Sequence, residues 1–295
     1  MLPTPCTSHV SFDTIYEPAE DSYLFLDTLS SASETAWLTQ HFRTGPSPLI
    51  LEVGSGSGVV LAFVAGNAPT LLGRADILSL STDLNRAACL ATCETVRKAI
   101  DAQQPPAHPN TTPESTTTPP TPETTIPRST HLTSLHTSLA TPLREKTVDL
   151  LLFNPPYVPT ESVPRAPTPA DFPDPHPNTS EKVKGKGRDF ERESYLLSLT
   201  YAGGKDGMEI TELLLRDLPR VLSERGVAYV LLCAQNQPQK VVERIRTSGF
   251  SEGEEGLGDT EEGQGKGKWC AEIAGSSGVK AGWERLVIVR IWRDL

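Results

Sequence analysis

Asn154-Pro155-Pro156-Tyr157 follows directly on the apolar run Val148–Phe153. Two consecutive prolines remove two backbone donors and fix two φ angles, so the chain leaves that run stiff and directed. The Asn154 side chain and the Pro155 carbonyl can then stand as two acceptors over a crevice, and a planar NH2 group carries the two hydrogens they need. The competing reading is a Pro-Pro turn in which Asn154 satisfies only local backbone. A second candidate is Glu52-Val53-Gly54-Ser55-Gly56-Ser57-Gly58. Glycines so spaced let the backbone approach a ligand closely at a strand-to-helix turn; the competing reading is a tight turn that binds nothing. A dinucleotide fingerprint needs G-x-G-x-x-G, but its third position is Val59 counted from Gly54 and Leu61 counted from Gly56. No Gly-Lys-Ser/Thr comes after it, so a P-loop is excluded as well. The third candidate is Asp83, in Ser81-Thr82-Asp83-Leu84-Asn85. An acid there can accept both hydroxyl hydrogens of a ribose. Asp83 or Asn85 can equally cap the next helix.

These residues need elements to hold them, and apolar runs alternate with helical periods along the chain. Residues 48–53 read as a buried strand, Val59–Gly66 as the next helix and residues 77–82 as a second strand. Residues 85–100 read as a helix packing Ala87, Ala88 and the region of Leu90 inward. Val148–Phe153 is apolar throughout, the pattern of a parallel strand buried on both faces. Ile210, Leu213, Leu214, Leu218 and Val221 give residues 208–222 an amphipathic helical period, with Pro219 set to kink its last turn. Gly226 marks a stop before a strand over 227–234, residues 241–247 form a helix and residues 286–292 a closing strand. The order predicts an α/β doubly wound, mostly parallel sheet with ligands at the carboxyl ends of its strands.

Composition narrows the class. Of the 26 prolines in the 295 residues, eight lie in residues 101–127 and nine in 155–177. Residues 101–127 offer a core almost nothing and read as a disordered insert. Residues 160–193, ending in a short polar helix, and 251–268 read as two further flexible inserts. What remains is a single domain over 11–295. No stretch approaches the roughly 20 apolar residues of a membrane span, and residues 1–12 lack the marks of a secretory signal. Five cysteines without tight spacing fit a reducing compartment. A net charge of −10 and a pI near 5.2 argue against broad phosphate-backbone binding. Cys89 and Cys93 read as core packing, His131 and His136 as ordinary surface or loop residues, and no metal site is expected. Glu17, Glu20 and Asp21 read as shaping an entrance or capping a helix near Ser22.

The combination E-x-G-x-G-x-G and N-P-P-Y resembles class I methyltransferases acting on planar NH2 groups of adenine, cytosine or glutamine amides. Within that class, Tyr16-Glu-Pro-Ala-Glu-Asp21-Ser22, residues 51–59, Thr82-Asp-Leu-Asn85 and residues 149–158 resemble the HemK-type glutamine methyltransferases. The eukaryotic branch, which methylates the class 1 peptide-chain release factor, is the best match, and residues 201–207 resemble its small-residue loop. The resemblance implies a Rossmann-like fold binding S-adenosylmethionine and N5-methylation of a glutamine amide. It implies that Ser22, Glu52, Gly54, Gly56, Gly58, Asp83 and Asn154 contact the cofactor, and that Asn154, Pro155, Pro156 and Tyr157 hold the substrate. After its third strand the family carries an acidic residue near the adenine amino group; here Thr133-Ser134-Leu135 stands instead. Ser134, with Leu135 beside it, is expected to take that place with an uncharged acceptor.

An amide nitrogen is a poor nucleophile, so the enzyme's task is positioning. Asn154 and the Pro155 carbonyl are expected to accept the two amide hydrogens, Tyr157 to pack flat against the amide, and the proton to leave to water. The resemblance also implies a small zinc-binding activator subunit, expected on an exposed sheet edge near residues 77–82. The expected location is cytoplasmic, with the nucleus as a second compartment. The alternatives are N6-adenine DNA methylation, protein (histone) lysine methylation, and a non-enzymatic cofactor-binding scaffold. The acidic pI weighs against the DNA reading.

Overall fold

Seven strands form one sheet in the order β3-β2-β1-β4-β5-β7-β6. The structure is a computed structural model that describes residues 2–106, 126–165, 185–250, 268–278 and 285–294. Most of each expected insert (107–125, 166–184 and 251–267) lies outside the described residues. The chain runs α1 (Glu20–Leu29), α2 (Ala32–Phe42), β1 (Leu49–Val53), α3 (Val59–Gly66), α4 (Ala68–Leu71), β2 (Leu78–Asp83) and α5 (Arg86–Gln103). It continues through β3 (Thr130–His136), β4 (Val148–Phe153), α6 (Gly185–Tyr201), α7 (Glu209–Val221) and β5 (Leu222–Cys233). The last elements are α8 (Pro238–Ser248), β6 (Lys268–Ser276) and β7 (Leu286–Asp294).

Strands β1 to β5 pair in parallel, while β7 runs antiparallel to both β5 and β6. Strand alternation divides the core in two. Ile50, Leu150, Leu152 and Tyr229 face one way, towards α1–α5, whereas Leu51, Leu151, Phe153 and Val230 face α7 and α8. Every residue of β4 is buried, as its unbroken apolar run requires between two parallel neighbours. Helix α3 is buried all round, the pattern of a helix covered on both sides. A buried polar knot ties α2 to the sheet: Tyr229 Oη donates to Glu34 Oε2 at 2.6 Å, and Arg290 Nη1 donates to both Glu34 oxygens. The Arg290 guanidinium also lies against the Trp37 and Trp292 rings, 4.1 and 4.9 Å from their centroids.

Because β1, β2 and β3 step one way across the sheet and β4 starts the other way, the chain reverses between β1 and β4. Their carboxyl ends diverge and leave a crevice. Both candidate loops, 54–58 and 154–157, issue from those two strands.

Several expectations are corrected. In α5, Ala88 and Cys89 point inward, but Ala87 is exposed and Leu90 is 58% exposed. A helix of this period buries Ala88, Thr92, Val96 and Ala99 as its stripe. Gly226 does not end a helix. Strand β5 begins at Leu222, opposite Val148, and the pairing then jumps to Val227 opposite Leu150. The extra residues form a bulge whose Ser223 and Arg225 side chains both donate to Asp149, and a Cβ at Gly226 would crowd the Val148 carbonyl. Strand β2 is not an edge, since β3 covers it; the sheet edges are β3 and β6. His131 lies on β3, half-buried, with Nδ1 3.1 Å from Ser79 Oγ. The short polar helix expected at the end of the second insert is α6, which continues to Tyr201.

Candidate functional site

Gly54, Gly56 and Gly58 all take positive φ, at 64°, 52° and 76°. They do not serve one purpose. A Cβ on Gly56 would meet nothing within 4 Å and one on Gly54 only the Phe153 ring edge, so both leave a cradle open to the crevice. A Cβ on Gly58 would lie 2.7 Å from the Thr92 Cα. Gly58 is therefore a packing glycine that lets α3 and α5 meet, and it does not line the crevice. Two threonines of α5 fasten the loop from behind. Thr92 Oγ1 pairs with Ser55 Oγ at 2.8 Å, and Thr95 Oγ1 donates to the Ser57 carbonyl at 2.7 Å. Sequence reasoning missed both, although their i, i+3 spacing on the buried face of a helix was there to read.

Asp83 ends β2 beside this loop. Its Oδ2 accepts from Gly56 N–H at 2.9 Å and its Oδ1 from Asn85 N–H at 2.7 Å. Each oxygen keeps a second lone pair, so both can still accept a hydroxyl. The cap of α5 is Asn85, whose Oδ1 accepts from Ala87 N–H. Burial pushes the Asp83 carboxyl above its ordinary range, against the backbone donors of Asn85, Gly56 and Leu84 that pull it down.

Glu52 closes the floor. Its Oε2 accepts from Leu61 N–H at 3.1 Å, one of the unpaired donors in the first turn of α3. Burial pushes this carboxyl well above its usual range, and the Asp83 charge adds to the rise. A raised native value means the folded state holds its proton to higher pH than the unfolded chain does. The stability it contributes is complete below the unfolded value, about 4.3, and falls as pH rises through the native one. Glu52→Gln keeps the acceptor for Leu61 and removes the titration. The ligand-free variant is expected to match the parent in denaturant midpoint near pH 4 and exceed it at pH 8. Parallel pH profiles would contradict this.

Across the crevice, Asn154 stands at the carboxyl end of β4. Its Nδ2 donates to Asp21 Oδ2 at 3.1 Å. Its Oδ1 is buried and has no hydrogen-bond partner among the described residues. Asp21 is itself buried, and its Oδ1 accepts from the backbone and hydroxyl of Ser22. The start of α1 thus orients the Asn154 amide through its nitrogen and leaves its oxygen without a donor among the described residues. Sequence reasoning placed Asp21 at an entrance or a cap; its neighbour Ser22 was the available signal.

The crevice between the two strand ends has a cavity volume of about 190 Å³. Ser22, Glu52, Gly54, Gly56, Asp83, Asn154, Pro155 and Pro156 line it, as expected. Besides Gly58, three expected residues do not. Ser134 and Leu135 lie within β3, not after it; the Ser134 hydroxyl accepts from Ser81 Oγ at 2.7 Å and from the Cys93 thiol. The wall there is Thr137, Ser138 and Leu139, just beyond the strand. The Tyr157 side chain also stands off the crevice and packs against the core cluster formed with α1–α5. Sequence reasoning missed the apolar wall opposite, where Leu196 and Leu199 of α6 face Ile210 and Leu213 of α7. Among the described residues no group of three or more His, Cys, Asp or Glu could hold a metal, and no helix is long and apolar enough to cross a membrane.

Comparison with known proteins finds clear relatives. Methyltransferase HEMK2 of Mus musculus is 31% identical over 254 residues, covering 84% of this chain and 87% of the relative. The eRF1 methyltransferase catalytic subunit mtq2 of Schizosaccharomyces pombe is 27% identical over 254 residues, covering 85% and 87%. Among solved structures, the ribosomal protein L11 methylase of Lactobacillus delbrueckii subsp. bulgaricus has a TM-score of 0.43 at 12% identity, covering 95% of this chain and 82% of that one. No protein-family model matches the chain.

Proposed function

The chain belongs to the HEMK2 family of methyltransferases, and from that membership we propose that it N5-methylates a glutamine side chain of the class 1 peptide-chain release factor. The observation that carries the reading is the buried, unpartnered Asn154 Oδ1 at the end of β4, on a residue that lines the same crevice as the glycine cradle. A buried acceptor without a donor is costly, and a substrate NH2 group relieves that cost. The name of the S. pombe relative supports a release factor as the bearer of that group. The net charge of −10 favours a protein over DNA.

The residues present fit S-adenosylmethionine. Gly54 and Gly56 keep open the space that a Cβ would fill, and Asp83 offers two acceptors of the kind a ribose needs. When bound, that cofactor supplies a methyl group on a positively charged sulfur. Ser22, Glu52, Gly54, Gly56 and Asp83 would hold it, and Asn154 stands between cofactor and substrate. Asn154 Oδ1 accepts one amide hydrogen of the glutamine and the Pro155 carbonyl the other. Both acceptors favour the positive charge that develops on nitrogen, at no cost of reorganisation. Asp21 holds the Asn154 amide through its nitrogen. The proton leaves to water, so no side chain need serve as base. Tyr157, off the crevice, does not stack on the amide; it belongs to the support of the turn.

A small zinc-binding activator subunit belongs to the same proposal. Its place is the β3 edge, where Leu132 is exposed, and not β2 within the sheet. The compartment in this reading is the cytoplasm, with the nucleus as the second. The test is transfer of labelled methyl by the chain, co-expressed with the activator, to release factor, DNA and histone side by side. Label on release factor, lost when its glutamine is changed, is the expected result. Label on DNA or histone alone would overturn the reading.

A further inference from the structure

We propose that Asn236 is a positioning residue for this reaction, holding the 154–157 turn in place from behind through the Tyr157 carbonyl. The inference rests on the reading that this turn grips the substrate amide. Pro155 and Pro156 have no N–H, so at these two positions the backbone can be tethered only through carbonyls, which puts weight on the ties at Tyr157 and after it. Val158, the first of these, is tied to a loop rather than to the sheet. Its N–H donates to the Tyr201 carbonyl at 3.0 Å, and its carbonyl accepts from Gly203 N–H at 2.8 Å.

Asn236 connects that assembly to the sheet. It lies just past the end of β5 and is 3% exposed. Its Oδ1 accepts from Cys233 N–H at 2.7 Å. Its Nδ2 donates to the Tyr157 carbonyl at 3.2 Å and to the Asp206 carbonyl at 2.8 Å. One side chain therefore joins the end of β5, the turn and the 203–207 loop, with both amide hydrogens engaged. The surroundings are built to this junction. Asp206 and Gln237 are held at φ 55° and 51°, left-handed conformations that cost about 1–2 kcal/mol in an L residue and persist where neighbours over-determine them. A Cβ on Gly207 would overlap the Tyr157 carbonyl oxygen and lie 2.7 Å from Asn236 Nδ2. Only an amide meets all three partners in this space. A carboxylate of the same shape would set an oxygen against two carbonyl oxygens, and a hydroxyl is too short to bridge them.

Asn236→Asp and Asn236→Ser, each in the co-expressed enzyme, test the tether by three readouts: cofactor Kd, kcat and KM for the release factor, and hydrogen exchange over residues 157–163 and 202–208. The turn is displaced but the cofactor cradle is untouched. The expected kcat loss is therefore on the order of 10²-fold, with cofactor Kd and KM within about twofold and faster exchange at Val158 and Gly203. A kcat near wild type in both variants would overturn the proposal. So would a cofactor Kd that worsens in step with kcat, the mark of general unfolding. Exchange reads the tether without any substrate. If the wild-type enzyme left the release factor unlabelled while exchange still rose in the variants, the substrate reading would fail and the tether would stand. Unchanged exchange in both variants overturns the tether whatever the substrate.

Discussion

Asn154→Ala is expected to lower methyl transfer on the order of 10²–10³-fold, the usual loss when one fixed hydrogen-bonding group facing developing charge is removed. The cofactor's affinity should change little, because the glycine cradle and Asp83 stand on β1 and β2 while Asn154 stands on β4. The size of the loss reflects the role of the amide. Its oxygen is already desolvated and lacks a partner among the described residues, so accepting the glutamine hydrogen displaces no existing hydrogen bond. Alanine leaves the substrate amide free to rotate and its hydrogens unpaired in a water-poor crevice. Asn154→Asp, though isosteric, should fare no better. It would place a second carboxyl against Asp21, at the site of the present 3.1 Å hydrogen bond, and like charges so close cannot both ionise. Asp21→Ala gives the companion result: the Asn154 amide loses the acceptor that fixes its orientation, and kcat falls while cofactor Kd holds. Turnover, KM and a cofactor titration on the same preparations decide the matter. A near wild-type kcat for Asn154→Ala would remove Asn154 from the chemistry.

What could be read in the sequence was whatever the local pattern determines. An apolar run that ends in glycines, or in Asn-Pro-Pro, identifies both a buried parallel strand and the residues at its carboxyl end. The reversal between β1 and β4 then brings those ends together without further information. That is why Glu52, Gly54, Gly56, Asp83, Asn154 and Pro155 were all legible. The failures share a cause of the opposite kind. Gly58 belongs to the same glycine pattern as its neighbours, but its partner is Thr92, far along the chain on α5. Ser134 was placed by resemblance, with no signal in the sequence for where β3 ends; the crevice wall begins three residues on, at Thr137. Tyr157 carries the right motif, yet its half-buried side chain packs against the core cluster and its carbonyl is the tethered group. Strand β6 pairs with β7, and neither its composition nor a turn signal announced it. Spacing along the chain identifies chemistry at strand ends; packing partners tens of residues apart decide which of the neighbouring side chains face it.

Asp83→Ala is expected to have the complementary effect, a loss of cofactor affinity with the transfer step preserved. A carboxylate accepting two ribose hydroxyls makes two charge-assisted hydrogen bonds. At about 1.5–3 kcal/mol each, their loss raises Kd on the order of 10²–10⁴-fold. Asp83 also accepts from Gly56 N–H, so alanine loosens the cradle itself and works in the same direction. The fold should survive, because α5 keeps its cap at Asn85 and removing a buried carboxyl relieves a desolvation cost. Asp83→Asn separates the two contributions. It retains one acceptor oxygen, which can serve either Gly56 or a single hydroxyl, and its affinity should fall between the parent and alanine. At saturating cofactor the Asp83 variants should recover most of the wild-type kcat, whereas no concentration rescues Asn154→Ala. If excess cofactor failed to restore turnover in Asp83→Ala although binding was complete, Asp83 would act in the transfer step and the division of labour between the two strand ends would be wrong.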